Sequence, residues 1–392
     1  MSVALFDLGQ RLRAAAESRP VARSTYAPVL PPVNPVAVTI SGSGDRTLLR
    51  ATDGVRQFNA TGEAALAALN QLNVSVSSDA RTLIVADRDA LAHLLELAHA
   101  VDPAGDYADS AAVIAWWSQR ADHPGTGAVL DVVAACSARW VLGVPPAHER
   151  ELAIWRRWLG VADPDPQGLL DLAGAVSAGT TLPGLDALAE EDRVSWDAFV
   201  ARMTDPTSTW HWRRGDNRRE AALGLASRCD AAELYESLRL GDPLVATRES
   251  FGGTVVSGII TALPSRSVVE ITLDQLTCRL REQTAVEGFA GYPRDLPPAL
   301  SGTPLIRGQV LATRVTSNEQ LVVTIGDAIL RSLSIKQHVT LRPRSIDPRQ
   351  QRSGRQELHR RYAARRSWLS GGAAPSPRRR DVPLDVVISA AE

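Results

Sequence analysis

The spacing of hydrophobic residues changes along the chain and divides it into segments of different secondary structure. Alternation of buried and exposed types over Val36–Ile40 predicts a β-strand, and Arg81–Val85 has the same character. With a helix predicted between them, residues 36–90 are expected to form a small α+β unit. Residues 1–35 combine an amphipathic helix over Leu5–Ala16 with a proline-rich linker that cannot continue a helix.

Residues 91–240 have apolar positions three to four residues apart, the spacing of helices that bury one face. Proline and glycine clusters separate the helices and set their ends. A helical middle domain is therefore predicted, with helices at Ala111–Arg120, Ala128–Leu142, Ala147–Leu159, Leu169–Ala178, Ser195–Met203 and Arg219–Leu240.

Residues 241–345 are rich in Val, Ile and Thr and are predicted to form strands. The segment aligns with itself at a separation of about 50 residues: Gly258 matches Gly308, and Arg279 matches Arg331. Because a single half would leave its apolar face and sheet edges exposed, two halves are expected to close into a small barrel. The predicted strands are Thr254–Thr261, Ser267–Leu273, Thr284–Phe289, Leu305–Val315, Leu321–Ile325 and His338–Leu341.

Each half of this barrel is predicted to read strand, strand, short helix, strand, with the helices at Asp274–Arg281 and Asp327–Leu333. Residues 346–392 are predicted to be a basic, partly flexible tail. The fold class expected for the chain is α+β and multi-domain, with a helical middle domain and a small β-barrel built from two ββαβ halves.

Residues 321–341 resemble the core of AbrB/MazE-type swapped-hairpin domains, which belong with double-psi barrels to the cradle-loop barrels. Leu330-Arg331, then Leu333-Ser334-Ile335-Lys336, then Val339 follow the family order, and residues 269–289 form a degenerate copy. The family's helix-opening proline is missing, and Gln337-His338 replaces its Gly-Asp. The resemblance implies a barrel and allows DNA binding, because AbrB-type domains bind DNA while double-psi barrels also serve as enzyme cores or adaptors.

Charge is distributed unevenly along a chain whose net charge is only −1. Of 43 basic residues Lys336 is the only lysine, a bias that favours a GC-rich bacterial genome. Twelve arginines and two acids lie between Arg342 and Arg380, giving this segment a charge of about +10 and the rest about −11. Such a basic segment on an acidic body indicates nucleic-acid contact, or docking on an acidic partner or on the acidic body itself.

Two arginine-rich clusters with interleaved aromatic residues are the candidate nucleic-acid site, because arginine binds phosphate bidentately and aromatic rings stack on bases. Packing between helices is the alternative for the tryptophans, and ion pairs within the chain are the alternative for the arginines. The first cluster comprises Trp210, Trp212, Arg213, Arg214, Arg218 and Arg219. The second comprises Arg342, Arg344, Arg349, Arg352, Arg355, Arg360, Arg361, Arg365, Arg366, Arg378, Arg379 and Arg380.

Several catalytic classes lack their motifs in this sequence. No Walker phosphate-binding loop surrounds Lys336, no Gly-x-Ser-x-Gly is present, and no histidine pairs with another histidine or a cysteine at zinc-ligand spacing. No metal site or cofactor is expected. Asp87-Arg88-Asp89 is interpreted as a helix cap more readily than as a magnesium site. Enzymatic activity stays undecided, with the balance against it.

The sequence therefore predicts a non-catalytic bacterial nucleic-acid-binding protein, with DNA favoured over RNA. No membrane-spanning segment or signal peptide is expected, and three cysteines fit a reducing cytoplasm. The first alternative is a protein–protein scaffold or adaptor that uses the barrel to bind a protein partner. The second is an enzyme with a site between the barrel and the helical domain.

Overall fold

A computed structural model describes residues 3–23, 28–163, 165–178, 182–208, 211–213, 215–363 and 373. The helices are α1 (Val3–Glu17), α2 (Ala67–Gln71), α3 (Arg88–Ala100), α4 (Ala108–Arg120), α5 (Val132–Arg139), α6 (Leu152–Leu159), α7 (Gln167–Ser177), α8 (Asp186–Thr204), α9 (Arg218–Arg239), α10 (Pro243–Gly252) and α11 (Pro348–Ala363). The strands are β1 (Val21–Ala22), β2 (Val36–Ser41), β3 (Leu48–Thr52), β4 (Gln57–Thr61), β5 (Leu83–Val85), β6 (Val129–Asp131), β7 (Trp140–Val141), β8 (Val256–Ser265), β9 (Val268–Leu273), β10 (Ala285–Ala290), β11 (Ile306–Val315), β12 (Leu321–Leu330) and β13 (His338–Pro343).

The N-terminal part is a five-stranded mixed sheet in the order β4-β3-β2-β5-β6. β2, β3 and β4 are antiparallel, whereas β5 and β6 run parallel to β2. Alternate residues of β5 enter two different cores: Leu83 and Val85 face α3 and α4, while Ile84 faces α5, α6 and α7. A strand buried on both faces requires apolar residues throughout, which explains the Leu-Ile-Val run.

β6 extends this sheet into the segment for which the sequence predicted only helices. The prediction of a helix from Ala128 to Leu142 is wrong at both ends, because Val129–Asp131 and Trp140–Val141 are strands. The helix begins only after Asp131, whose carboxylate accepts a hydrogen bond from the Ala134 N–H. Val74 and Val76, between α2 and β5, are buried in loops.

Helices α8 and α9 connect the sheet domain to the C-terminal part of the chain. Leu188 on α8, Leu234 and Leu238 on α9, and Ala299 in the loop after β10 share one apolar cluster. α11, which follows the barrel in the chain, packs on α9. Within the described part of the chain, no helix has the length and apolar character needed to cross a membrane.

Residues 256–343 form the predicted barrel, and it is closed, with six antiparallel strands in the order β10-β11-β12-β9-β8-β13. Each of the six predicted strands is confirmed. The β9–β12 pairing is centred on Ile271 opposite Val323, and the β10–β13 pairing on Gly288 opposite Leu341. These opposed residues are 52 and 53 positions apart, close to the separation at which the sequence aligns with itself.

Gly258 and Gly308 show why the two halves share a glycine. A Cβ on Gly258 would lie 2.2 Å from the Thr272 carbonyl oxygen, and one on Gly308 would lie 2.6 Å from that of Gly326. Neither backbone can give way without breaking a ladder. Only glycine lets the neighbouring strand approach this closely.

The two helices predicted inside the barrel are wrong. Asp274–Arg281 is irregular, and Asp327–Leu330 continues strand β12, with exposed Asp327 and Ile329 alternating with buried Ala328. This period of two residues belongs to a strand, and a helix would need a period near 3.6. The resemblance to a strand–helix–strand core therefore fails at its helix, while the barrel itself is confirmed.

Candidate nucleic-acid interface

Arg342, the first arginine of the basic segment, is part of the barrel. Its side chain is only 1% exposed and its Nε donates to Glu287 Oε1 at 2.8 Å. Its Nη1 donates to the Pro297 carbonyl, and its guanidinium lies 5.0 Å from the centre of the Phe289 ring. These contacts occupy the whole fork, so Arg342 is not presented to a nucleic acid, contrary to the sequence interpretation.

Trp212 is likewise a core residue rather than a surface ring. It is 5% exposed, belongs to the cluster that contains Trp196 and Phe199, and stacks on His211 with ring centres 5.2 Å apart. No face is left for a base to stack on. Packing between helices, the alternative considered for this residue, is what the structure has. Trp210 and Arg214 lie outside the described residues.

The arginines that follow Trp212 are at the surface where α9 begins. Arg213 and Arg218 are exposed, and Arg219 is half-buried. The helix begins at Arg218 because Asn217 caps it. Asn217 Oδ1 accepts hydrogen bonds from the Arg219 and Glu220 N–H groups, and Glu220 Oε2 accepts one from the Asn217 N–H. The capping box fixes the direction in which Arg218 and Arg219 leave the backbone.

α11 carries the central arginines of the tail and lies on α8 and α9. Arg355 Nη1 is 2.7 Å from Asp230 Oδ2 on α9, and its Nη2 is 2.5 Å from Glu191 Oε2 on α8. Arg352 lies 3.3 Å from Glu191 and 3.7 Å from Glu190. Two arginines that the sequence predicted to bind phosphate therefore form ion pairs within the chain. This is the docking on the acidic body that the uneven charge distribution also allowed.

α9 and α11 run antiparallel, as three contacts along them show. The Ile346 N–H donates to Ser237 Oγ, Gln351 Nε2 donates to the Asp230 carbonyl, and His359 lies near Arg219. The last turn of α11 is thus beside the first turn of α9. His359 interacts electrostatically with Arg219 of α9 and Arg202 of α8, and Arg218, Arg360 and Arg361 adjoin these residues in the chain; we call these six residues the basic end.

Electrostatics within the basic end are visible at His359. Burial, and then the positive charges of Arg219 and Arg202, lower the pKa of this imidazole below its ordinary value. His359 is therefore neutral at pH 7. Arg360 and Arg361 each pair with Glu357, at 3.1 and 3.4 Å, with their side chains 74% and 61% exposed. Ion pairs this exposed contribute little and are readily exchanged.

The remaining predicted arginines contribute less to the basic end. Arg344 is half-buried next to the barrel, and its backbone N–H donates to the Ala285 carbonyl. Arg349 is exposed at the start of α11. Outside the described residues lie Arg365, Arg366, Arg378, Arg379 and Arg380.

Arg202, His359 and the three acids under α11 were not found from the sequence. Glu190, Glu191 and Asp230 are ordinary helix-surface acids in the sequence, and nothing local pairs them with a helix more than a hundred residues away. The sequence signal for this pairing is the count of charges: acidic residues are in excess outside the basic segment, and arginines are in excess within it.

The side chains that could act in catalysis lie outside the basic end and are hydrogen-bonded or buried. In the described ranges, no three His, Cys, Asp or Glu side chains are grouped so as to hold a metal ion. Asp87 caps α3 through the Ala90 N–H, so the capping interpretation holds for Asp87 rather than Asp89. Burial raises the pKa of Asp131, which lies at the end of β6 and not beside the barrel. Burial also raises the pKa of Cys136 to about 12, which leaves that thiol inert.

Comparison with known proteins gives no relative for this chain: no family model, curated protein or solved structure matches it.

Proposed function

We propose that this chain is a non-catalytic nucleic-acid-binding protein, with DNA favoured over RNA, and that the basic end is its primary contact. The observation that carries the proposal is the antiparallel packing of α11 on α9, with His359 in electrostatic interaction with Arg219. Two segments predicted separately as phosphate-binding are neighbours in space. Trp212 and Arg342 are left out of the proposed site because their side chains are buried.

The chemistry of the basic end suits a phosphate backbone. Guanidinium groups bind phosphate oxygens through two parallel N–H donors, and each contact releases counterions from the nucleic acid. The neighbouring surface pairs with Glu357 are weak enough to be replaced by a phosphate. Because no Trp, Tyr or Phe belongs to the basic end, sequence-independent binding is proposed.

Two finer parts of the sequence interpretation are retained as proposals. Gly258 and Gly308 stand at matching close approaches, and left-handed backbone occurs at both Gln283 and Lys336, 53 positions apart. These matches support an origin of the barrel by duplication of a three-stranded unit. The free thiols of Cys136, Cys229 and Cys278 support a reducing, cytoplasmic location in a bacterium.

A salt series of fluorescence anisotropy tests the binding proposal. The full-length protein is titrated against labelled single- and double-stranded 20-mers, alongside the variant R218Q/R219Q/R360Q/R361Q. Its control is R46Q/R50Q/R150Q/R157Q, which removes the same charge from exposed positions of the sheet domain. We expect the basic-end variant, and not the control, to lower the slope of log K against log salt by about three to four for duplex.

Two results would contradict the proposal. Absence of binding by the wild type at low salt would reject nucleic acid as a ligand. Equal losses in the two variants would show that net charge alone is sensed. The scaffold alternative is favoured by exposed Leu311, Val315 and Ile329 on the barrel, and a salt-insensitive protein complex would support it.

A further inference from the structure

The surface beneath α11 consists of three carboxylates that pair with two arginines. Glu190 and Glu191 on α8 and Asp230 on α9, which we call the acidic seat, hold Arg352 and Arg355 at distances of 2.5–3.7 Å. Arg355 spans both helices, with one nitrogen on Glu191 and another on Asp230. The seat thus presents carboxylate oxygens to guanidinium forks as a phosphate backbone would.

Apolar packing contributes little to this docking. None of the described side chains of α11 is buried, and its sequence is strongly polar. Below it lies a small cavity with a mixed lining, which includes His123, Glu191, Leu188 and Leu234. Glu191 Oε1 lies 3.3 Å from Arg352 Nε, yet no hydrogen bond satisfies that oxygen. The interface is therefore ionic and incompletely satisfied, so α11 has no apolar seal to break on leaving.

The strength of the ion pairs in the acidic seat determines whether phosphates can replace its carboxylates as partners of Arg352 and Arg355. The paired side chains are 16–41% exposed, and ion pairs in that range are modest in strength and weakened by salt. A nucleic acid offers a continuous row of phosphates beside the basic end, which α11 itself helps to form. Once the basic end holds a phosphate backbone, further phosphates are concentrated next to Arg352 and Arg355.

We infer that the acidic seat is an internal competitor for nucleic acid: it holds Arg352 and Arg355 in the free protein and yields them to phosphates on binding. This inference rests on the proposed function and adds a regulation to the same site. The exchange swaps carboxylate for phosphate on the same guanidinium forks and breaks no covalent bond. Short or sparsely charged anions do not supply enough contacts to empty the seat, whereas a long duplex does.

Matched variants of the full-length protein test this exchange. E190Q/E191Q/D230N neutralises the seat. D197N/E233Q/E236Q neutralises three acids on the same two helices that form no ion pair with α11 among the described residues. Both variants change the net charge equally. Affinity for a 20-bp duplex is measured by anisotropy, and hydrogen–deuterium exchange is measured across residues 349–363.

The seat variant is expected to bind the duplex about three- to tenfold more tightly than the control variant, the range for two surface arginines whose ion pairs no longer compete. Exchange across α11 should be faster in the seat variant without nucleic acid. In the wild type, the hydrogen–deuterium exchange rate of the α11 amides should change more when duplex is added than when a dinucleotide is added.

Equal affinities of the seat and control variants would overturn the inference while leaving the proposed function standing. A lower affinity of the seat variant would also overturn it, since it would mean that docking pre-forms the basic end. Failure of the wild type to bind any oligonucleotide would reject the proposed function and the exchange together. Unfolding of α11 in the seat variant does not confuse the result, because affinity relative to the control still decides.

Discussion

Arg342 and Arg355 belong to the same arginine-rich segment and have opposite environments. Arg342 is 1% exposed between barrel strands and pairs with Glu287, which is itself buried. Arg355 is 19% exposed and lies on carboxylates at a helix surface. One arginine neutralises a buried carboxylate inside the barrel, and the other pairs with carboxylates at a partly hydrated surface. Arginine content therefore does not identify a phosphate-binding surface until burial is known.

The difference comes from what surrounds each pair. The Glu287–Arg342 pair is covered by Phe289 and the Pro297 segment and is completed by Ser345, whose hydroxyl donates to Glu287 at 2.6 Å. α11 has no such cover. Removal of one partner leaves an isolated charge in the first case and a hydrated charge in the second, so the two sites should respond very differently to substitution.

The largest effect is expected from Arg342→Met, which leaves Glu287 buried without its cation. The barrel should lose about 3–5 kcal/mol, and the double variant Arg342→Met/Glu287→Met should recover most of it. None of the tryptophans lies between residues 256 and 343, so Trp fluorescence does not report on the barrel. Protection of the β13 amides from hydrogen exchange is the suitable measurement. A loss below 1 kcal/mol would show that Arg342 is not structurally different from Arg355.

An effect of intermediate size on stability is expected from protonation of His123, which lines the cavity beneath α11. Burial, then the Arg120 charge, lowers the pKa of His123 to about 4, and its Nε2 lies 3.2 Å from Ser227 Oγ. Because the folded pKa is below the unfolded one, stability is complete above about pH 6.5 and is lost as pH falls toward 4. After allowance for partial exposure, the loss is on the order of 2 kcal/mol.

Urea unfolding followed by Trp fluorescence at pH 7 and pH 4.5 measures this loss, because Trp116 and Trp117 lie on the neighbouring helix α4. His123→Asn keeps a donor and an acceptor and cannot charge. We expect this variant to lose less stability than the wild type between the two pH values. An identical pH dependence in both proteins would rule out His123 as the titrating group.

The smallest effect is expected from Arg355→Gln. Two ion pairs are lost at a partly hydrated surface, so the docking of α11 should weaken by about 0.5–1 kcal/mol while the rest of the fold is unchanged. Faster exchange of the α11 amides with unchanged β13 protection is the expected signature. A loss as large as that of Arg342→Met would remove the distinction between the two arginines and the basis of the exchange at the acidic seat.

The barrel could be predicted from sequence because its signal is local. Alternating Val, Ile and Thr between glycines places all six strands, and Gly258 and Gly308 mark matching strand contacts. Its internal helices were mispredicted because Leu330-Arg331 suits both a helix and a strand, and tertiary pairing with β11 decided the outcome. β6 was missed for a related reason: three residues between helices become a strand only beside β5.

The candidate site was predicted less well, because its geometry depends on residues distant in sequence. Arg218 and Arg219 were named from composition, and their position beside His359 follows only from the antiparallel packing of α9 on α11. Burial removed Trp212 and Arg342, which no local pattern distinguishes from their exposed neighbours. Composition thus names arginine as the candidate residue type and cannot sort the individual arginines by environment.

The order of strands in the barrel has a consequence for synthesis of the chain. β10 pairs only with β11 and β13, both of which come later in the sequence, so the first three strands cannot close among themselves. Barrel formation must wait until residues through Pro343 have left the ribosome, and its distant pairings make it slow. The five-stranded sheet and its helices, whose core is completed by Trp196, Phe199 and Trp212, precede the barrel in the chain and can fold first.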